Sequence, residues 1–112
     1  MAKKQVNKKI VNNGLQPRYK ITFRDKEFEA KLGLKVFMKY EQLYGKIFGQ
    51  DLENMFTELL QLYYVTTLVY SDYKDLTFDE FIDELDECPE LMYDYNDFFA
   101  LIQESNTKNV GE

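Results

Sequence analysis

Eleven carboxylates lie between residues 72 and 97, opposed only by Lys74, the densest cluster of chemically capable side chains in the sequence. Two chemistries suit such a run. Oxygen-rich loops hold calcium, and DLTFDEF at 75–81 has the composition of the end of a calcium loop. The arithmetic fails, however. With Glu80 as the twelfth-position ligand, Val69 stands first, Ser71 third, Tyr73 fifth, and Lys74 takes the place of the turn-forming glycine. Paired carboxylates also serve as acid and base, but only where a cleft drives their proton affinities apart. Asp79, Glu80, Asp83, Glu84, Asp86 and Glu87 instead share the outer face of an amphipathic helix. The run therefore reads as a solvated face that confers solubility, repels wrong partners or attracts a basic one.

Other catalytic chemistry is poorly supplied. The chain has no histidine, so no His-based triad, no imidazole metal ligand and no side chain that ordinarily titrates near neutrality. Cys88, the sole cysteine, stands before Pro89 near a helix start, a place that can activate a thiol, but no imidazole accompanies it. It reads as a structural residue in a reducing compartment. The stretch GKIFG at 45–49 lacks the ending of a phosphate loop, and no dinucleotide or zinc pattern occurs. No catalytic residue, cofactor or metal is expected, and the protein is not expected to be an enzyme. Partner binding is the remaining class. Nine tyrosines exceed what one small core uses, and rings with a polar tip suit interfaces. The candidates are Tyr63, Tyr64, Tyr70, Tyr93 and Phe98, with Asp83, Glu84 and Glu87 as the charged component.

Charge divides the 112-residue chain. The first twenty residues hold Lys3, Lys4, Lys8, Lys9, Arg18 and Lys20 and no acid, so an overall charge of −6 leaves −12 on the rest. Residues 1–17 read as a flexible basic tail, with Asn12, Asn13 and Gly14 as a turn signal. Cations without interleaved aromatic rings are a poor nucleic-acid signature, so nucleic acid is not an expected partner. No apolar run is long enough for a signal peptide or a membrane span. With 45% hydrophobic residues the chain can build one core, placed in a single domain at 18–104 ahead of a flexible tail at 105–112.

The elements that carry these residues follow from periodicity. Residues 18–32 read as a β-hairpin: Tyr19, Ile21 and Phe23 alternate with polar residues, as do Phe28, Ala30 and Leu32. A two-residue turn at Asp25 and Lys26 would set Phe23 opposite Phe28, Ile21 opposite Ala30 and Arg24 opposite Glu27. A lone hairpin is marginal, so its apolar side must lie on helices or pair with another subunit. A helix at 34–44 would turn Leu34, Phe37, Met38 and Leu43 inward. A second, at 51–71 with Asp51 as N-cap, is apolar nearly all round from 59 to 70 and reads as central, although the β-branched Val65, Thr66, Thr67 and Val69 make a strand at 62–70 the competitor. A third, at 77–88, opens on the capping box Thr77 and Glu80, with Leu76 and Phe81 as hydrophobic staple and Phe78, Phe81, Ile82 and Leu85 as apolar stripe. Pro89 ends it and starts a fourth at 89–104, with Leu91, Met92, Tyr95, Phe98, Phe99 and Ile102 at helical spacing. The fold class is α+β, mainly α: a hairpin packed on four helices.

ITFRDKEFEAKLGLKVFMKYEQLYG at 21–45 and LTFDEFIDELDECPEL at 76–91, joined by the long helix, resemble the tail assembly chaperones of long-tailed bacteriophages and prophages of Gram-positive bacteria. The similarity spans about residues 19–104 and leaves out the basic tail. It implies a non-catalytic protein of the host bacterial cytoplasm, absent from the mature virion. Such a protein coats the long, aggregation-prone tape measure protein, keeps it soluble and helps recruit tail-tube subunits, and it is often made in a short form and a frameshift-extended form; a homo-oligomer is compatible with this role. The alternative is an acidic inhibitor that mimics nucleic acid and blocks a basic protein.

Overall fold

The computed structural model describes the backbone of residues 10–12 and 17–111 and the side chains of residues 18–100. Its strands are β1 (Ile10–Asn12), β2 (Pro17–Phe23) and β3 (Lys26–Ala30). The helices are α1 (Leu34–Tyr44), α2 (Met55–Tyr70), α3 (Phe78–Glu87) and α4 (Pro89–Gly111), with a 3₁₀ turn at Leu52–Asn54 leading into α2. The class is α+β and mainly α, as the periodicity implies. The backbone groups into two compact units: the strands with the segment from Cys88 onward, and Leu32–Glu87.

In the first unit β2 lies between β1 and β3, antiparallel to both. Residues 10–12 are thus a strand, paired Ile10 to Tyr19 and Asn12 to Pro17, within the segment expected as a tail. The basic residues Lys3, Lys4, Lys8 and Lys9 lie outside the described residues. The hairpin turn falls one residue earlier than expected, on Arg24 and Asp25, both left-handed at φ 54° and 67°. Two consecutive positive φ values define the mirror-image turn whose twist matches paired strands, and Asp25, which tolerates that region, belongs to the turn in either placement. Ile21 therefore faces Phe28, and Phe23 faces Lys26. The slip moves each pairing by two positions, and because side chains alternate with period two the inward set is unchanged. Tyr19, Ile21, Phe23 and Ala30 are all buried. β2 packs against α4, with the Tyr19 and Phe98 rings 6.0 Å apart. No proline or glycine follows Pro89 until Gly111, and α4 runs to Gly111, past the expected end near 104. Leu91, Tyr95 and Phe98 are buried along it, Met92 and Phe99 half-buried; the side chain of Ile102 lies outside the described residues.

In the second unit α2 packs against both α1 and α3. It is a helix throughout, so the competing strand at 62–70 is not formed. Six of the seven residues from 62 to 68 are buried, the apolar-all-round pattern of a central helix. Its buried threonines satisfy themselves: Thr66 Oγ1 donates to the Leu62 carbonyl at 2.8 Å and Thr67 Oγ1 to that of Tyr63 at 3.0 Å. At the C-terminus the ammonium of Lys74 donates to the carbonyls of Leu68 at 2.6 Å and Val69 at 3.1 Å, filling acceptors the helix leaves open. Asp51 does not cap with its side chain; its carboxylate accepts from Asn54 Nδ2 at 2.9 Å, which tightens the 3₁₀ turn.

The capping box of α3 is formed in both directions. Glu80 N–H donates to Thr77 Oγ1 at 3.2 Å, and Thr77 N–H donates to Glu80 Oε1 at 3.0 Å. Leu76 and Phe81, the staple, are buried. Thr77→Ala is expected to destabilise the protein by about 1 kcal/mol, read as a lower urea midpoint at unchanged slope; an unchanged midpoint would show that the box contributes nothing. Among the described residues no helix is long and apolar enough to cross a membrane.

Candidate partner-binding surface

The buried side of α1 decides which of its apolar side chains reach solvent. Val36 and Tyr40, one turn apart, are fully buried, and Phe37 and Tyr44 flank them half-buried. The aromatic side wins because the loop after α1 folds back on it. The Phe48 ring meets Tyr40 edge-on at 5.6 Å and lies 6.2 Å from Phe37, while Tyr40 and Tyr44 are 4.8 Å apart. Leu34, Met38 and Leu43, expected to point inward, are consequently displaced to the surface. Leu34 is 79% exposed and Met38 65%. They stand at i and i+4 on one outward face.

A buried carboxylate holds the loop in place. Glu58 shares an apolar stripe with Leu62 and Val65 and has no exposed surface. It accepts from the Gly49 N–H at 2.8 Å and pairs with the Lys46 ammonium at 3.1 Å. Gly49 sits at φ 95°, which places its N–H where a residue with a Cβ would be strained. The Gly49 hydrogen bond, and then Lys46, hold the Glu58 carboxyl below the usual range against the opposing effect of burial. Tyr40 donates to Gln61 Oε1 at 2.9 Å, and burial, followed by the charge of Glu58, pushes its hydroxyl up to about 12, so it remains a donor at neutral pH. Sequence reasoning missed Glu58; the available signal was an acid at i−4 and i−7 to buried apolar positions. Anchored in this way, the chain from 45 to 56 presents Ile47, Leu52 and Phe56 to solvent, the last two again four apart and 78% and 66% exposed.

The sequence candidates scatter. Tyr63 and Phe98, expected at the partner site, are fully buried core residues and neither lies on a surface, because aromatic residues suit interfaces and cores alike. Burial also raises the Tyr63 hydroxyl well above its usual range. Tyr64 and Tyr70 are half-buried, and Tyr64 donates to the Leu76 carbonyl at 2.6 Å with its ring 5.5 Å from Phe78, an arrangement that serves packing. Tyr93 is 64% exposed. Asp83 and Glu87 are exposed on α3 with Asp79, Glu80 and Asp86, and Glu84 is half-buried. Among the described residues no acidic or cysteine cluster is arranged to hold a metal ion. Cys88 is exposed.

An open groove of about 720 Å³ runs along α1, lined by Lys35, Met38, Lys39, Glu41, Gln42 and Val69. Leu34, Met38, Leu43, Ile47, Leu52 and Phe56 are exposed large apolar side chains of the second unit, and Met38 belongs to the groove as well. No protein-family model, curated protein or solved structure matches the chain.

Proposed function

We propose that the protein is a phage tail assembly chaperone: it binds helical segments of the tape measure protein, keeps them soluble and helps recruit tail-tube subunits, without catalysis, in the host cytoplasm. The observation that carries this reading is the pair of solvent-facing apolar steps, Leu34 with Met38 and Leu52 with Phe56, each spaced like the contact face of one helix. Single exposed leucines are ordinary; paired ones on an unpartnered face mark binding surfaces. The hairpin, the Gly33-Leu34 helix start and the capped acidic helix add the resemblance noted above. Seating four such side chains yields on the order of 6–12 kcal/mol, comparable with the cost of association, so each single engagement is weak. Weak sites repeated along one long client give avidity and still release it. The exposed carboxylates of α3 keep the loaded complex dispersed.

The test is capture of purified tape measure fragments by the purified protein. Met38→Ser combined with Phe56→Ser is expected to weaken capture at least about tenfold, whereas neutralising Asp83, Glu84 and Glu87 changes it little and added salt does not abolish it. Loss of capture on neutralisation, with steep salt dependence, would instead support the acidic inhibitor.

A further inference from the structure

The second unit carries twelve carboxylates and only four lysines, so a cation there is scarce and its placement is informative. Two lysines are committed to the fold: Lys46 to Glu58, and Lys74 to the carbonyls ending α2. The other two, Lys35 and Lys39, make no ion pair among the described residues, and both line the groove beside Met38 and Val69. They stand one helical turn apart, on the same edge.

We infer that this groove binds an acidic amphipathic helix: the partner's apolar stripe seats on Met38 and Val69, and carboxylates bordering that stripe meet Lys35 and Lys39. The polarity is local and opposes the acidic surplus of the unit around it, which repels an acidic partner until it reaches the groove. The opposition gives specificity. A basic helix is attracted to this acidic unit at large but leaves two ammonium groups facing like charge, whereas on this unit an acidic one is held only at the groove. Glu41, on the lining of the same groove, favours a partner with one cation among its acids. The inference rests on the reading of this unit as a binder of helical clients and narrows it to clients of one charge pattern.

The experiment uses two synthetic helical peptides about four turns long, identical in their leucine stripe and bordered by glutamates in one and lysines in the other, titrated against the full chain by fluorescence anisotropy. The glutamate peptide is expected to bind about tenfold tighter although net charge favours the lysine peptide. Lys35→Glu with Lys39→Glu is expected to invert the order, a gain of binding that an unfolded variant cannot give, and Met38→Ser to weaken both. Equal or tighter binding of the lysine peptide, or an order unmoved by the charge reversal, would overturn the inference. Self-association lost in Met38→Ser, with neither peptide bound, would assign the groove to a second copy and also overturn it. Tape measure fragments captured without peptide discrimination would refute the groove assignment and leave the chaperone reading standing. The predicted peptide order without fragment capture would support the groove and refute the chaperone.

Discussion

Alanine at Phe81 is expected to lower the unfolding free energy by about 3–5 kcal/mol, a large part of the 5–15 kcal/mol typical of a domain. The ring is fully buried on the face that α3 turns to α2, 5.8 Å from the ring of Tyr64. Tyr64 in turn anchors the approach to α3 through its hydroxyl on the Leu76 carbonyl. Removing the ring empties a site whose walls are held by hydrogen bonds, so little collapse can refill it. Phe81→Leu keeps most of the volume and should cost no more than about 1.5 kcal/mol. Urea denaturation reads both as shifts of midpoint at constant slope. A loss below about 1 kcal/mol for the alanine variant would mean that the apolar stripe of α3 is not core.

The second large effect depends on pH. Glu58→Gln is expected to lower the melting temperature by roughly 5–10 °C at pH 7, because an amide keeps the acceptor for Gly49 but gives up the pairing with Lys46. A carboxyl whose folded proton affinity lies below its unfolded value of 4.5 stabilises the fold above that value, and this contribution is lost as pH falls through the folded value. The gap between the wild type and Glu58→Gln should therefore be widest at neutral pH and close on acidification below about pH 4.5. Thermal melts of both proteins across that range check it. A constant gap would show that shape, not charge, makes Glu58 matter, and a gap that widens in acid would contradict the assigned sign.

Local chemistry was the legible part of this fold. The box of Thr77 and Glu80, the stop at Pro89 and the alternation through Tyr19, Ile21 and Phe23 depend on neighbours a few residues away, and each is present in the structure. The hairpin turn was misplaced by one residue because no glycine marks it, and Arg24 and Asp25 adopt left-handed backbone without advertising it. The face of α1 was misread for a different reason. Leu34, Phe37, Met38 and Leu43 form a plausible stripe on hydrophobicity alone, but Val36 and Tyr40 are the buried residues, and Tyr40 is bonded to Gln61 of α2 and met by Phe48 from the loop fastened by Glu58. That loop is a tertiary device, invisible to periodicity. The same misreading hid the candidate surface: side chains credited to the core are the ones left facing solvent. Tyr63 and Phe98 are its mirror image, credited to a surface and found in the core.

The most direct measurement of the chaperone reading is co-expression of the full chain with successive fragments of a tape measure protein encoded beside its gene, scoring each fragment for solubility and co-purification at about 0.5 M salt, where exposed charges are largely screened. The expected result is that at least one helical fragment, insoluble alone, becomes soluble and co-purifies, and that Met38→Ser with Phe56→Ser returns it to the pellet. Failure to rescue any fragment, with the protein itself folded and abundant, would contradict the reading.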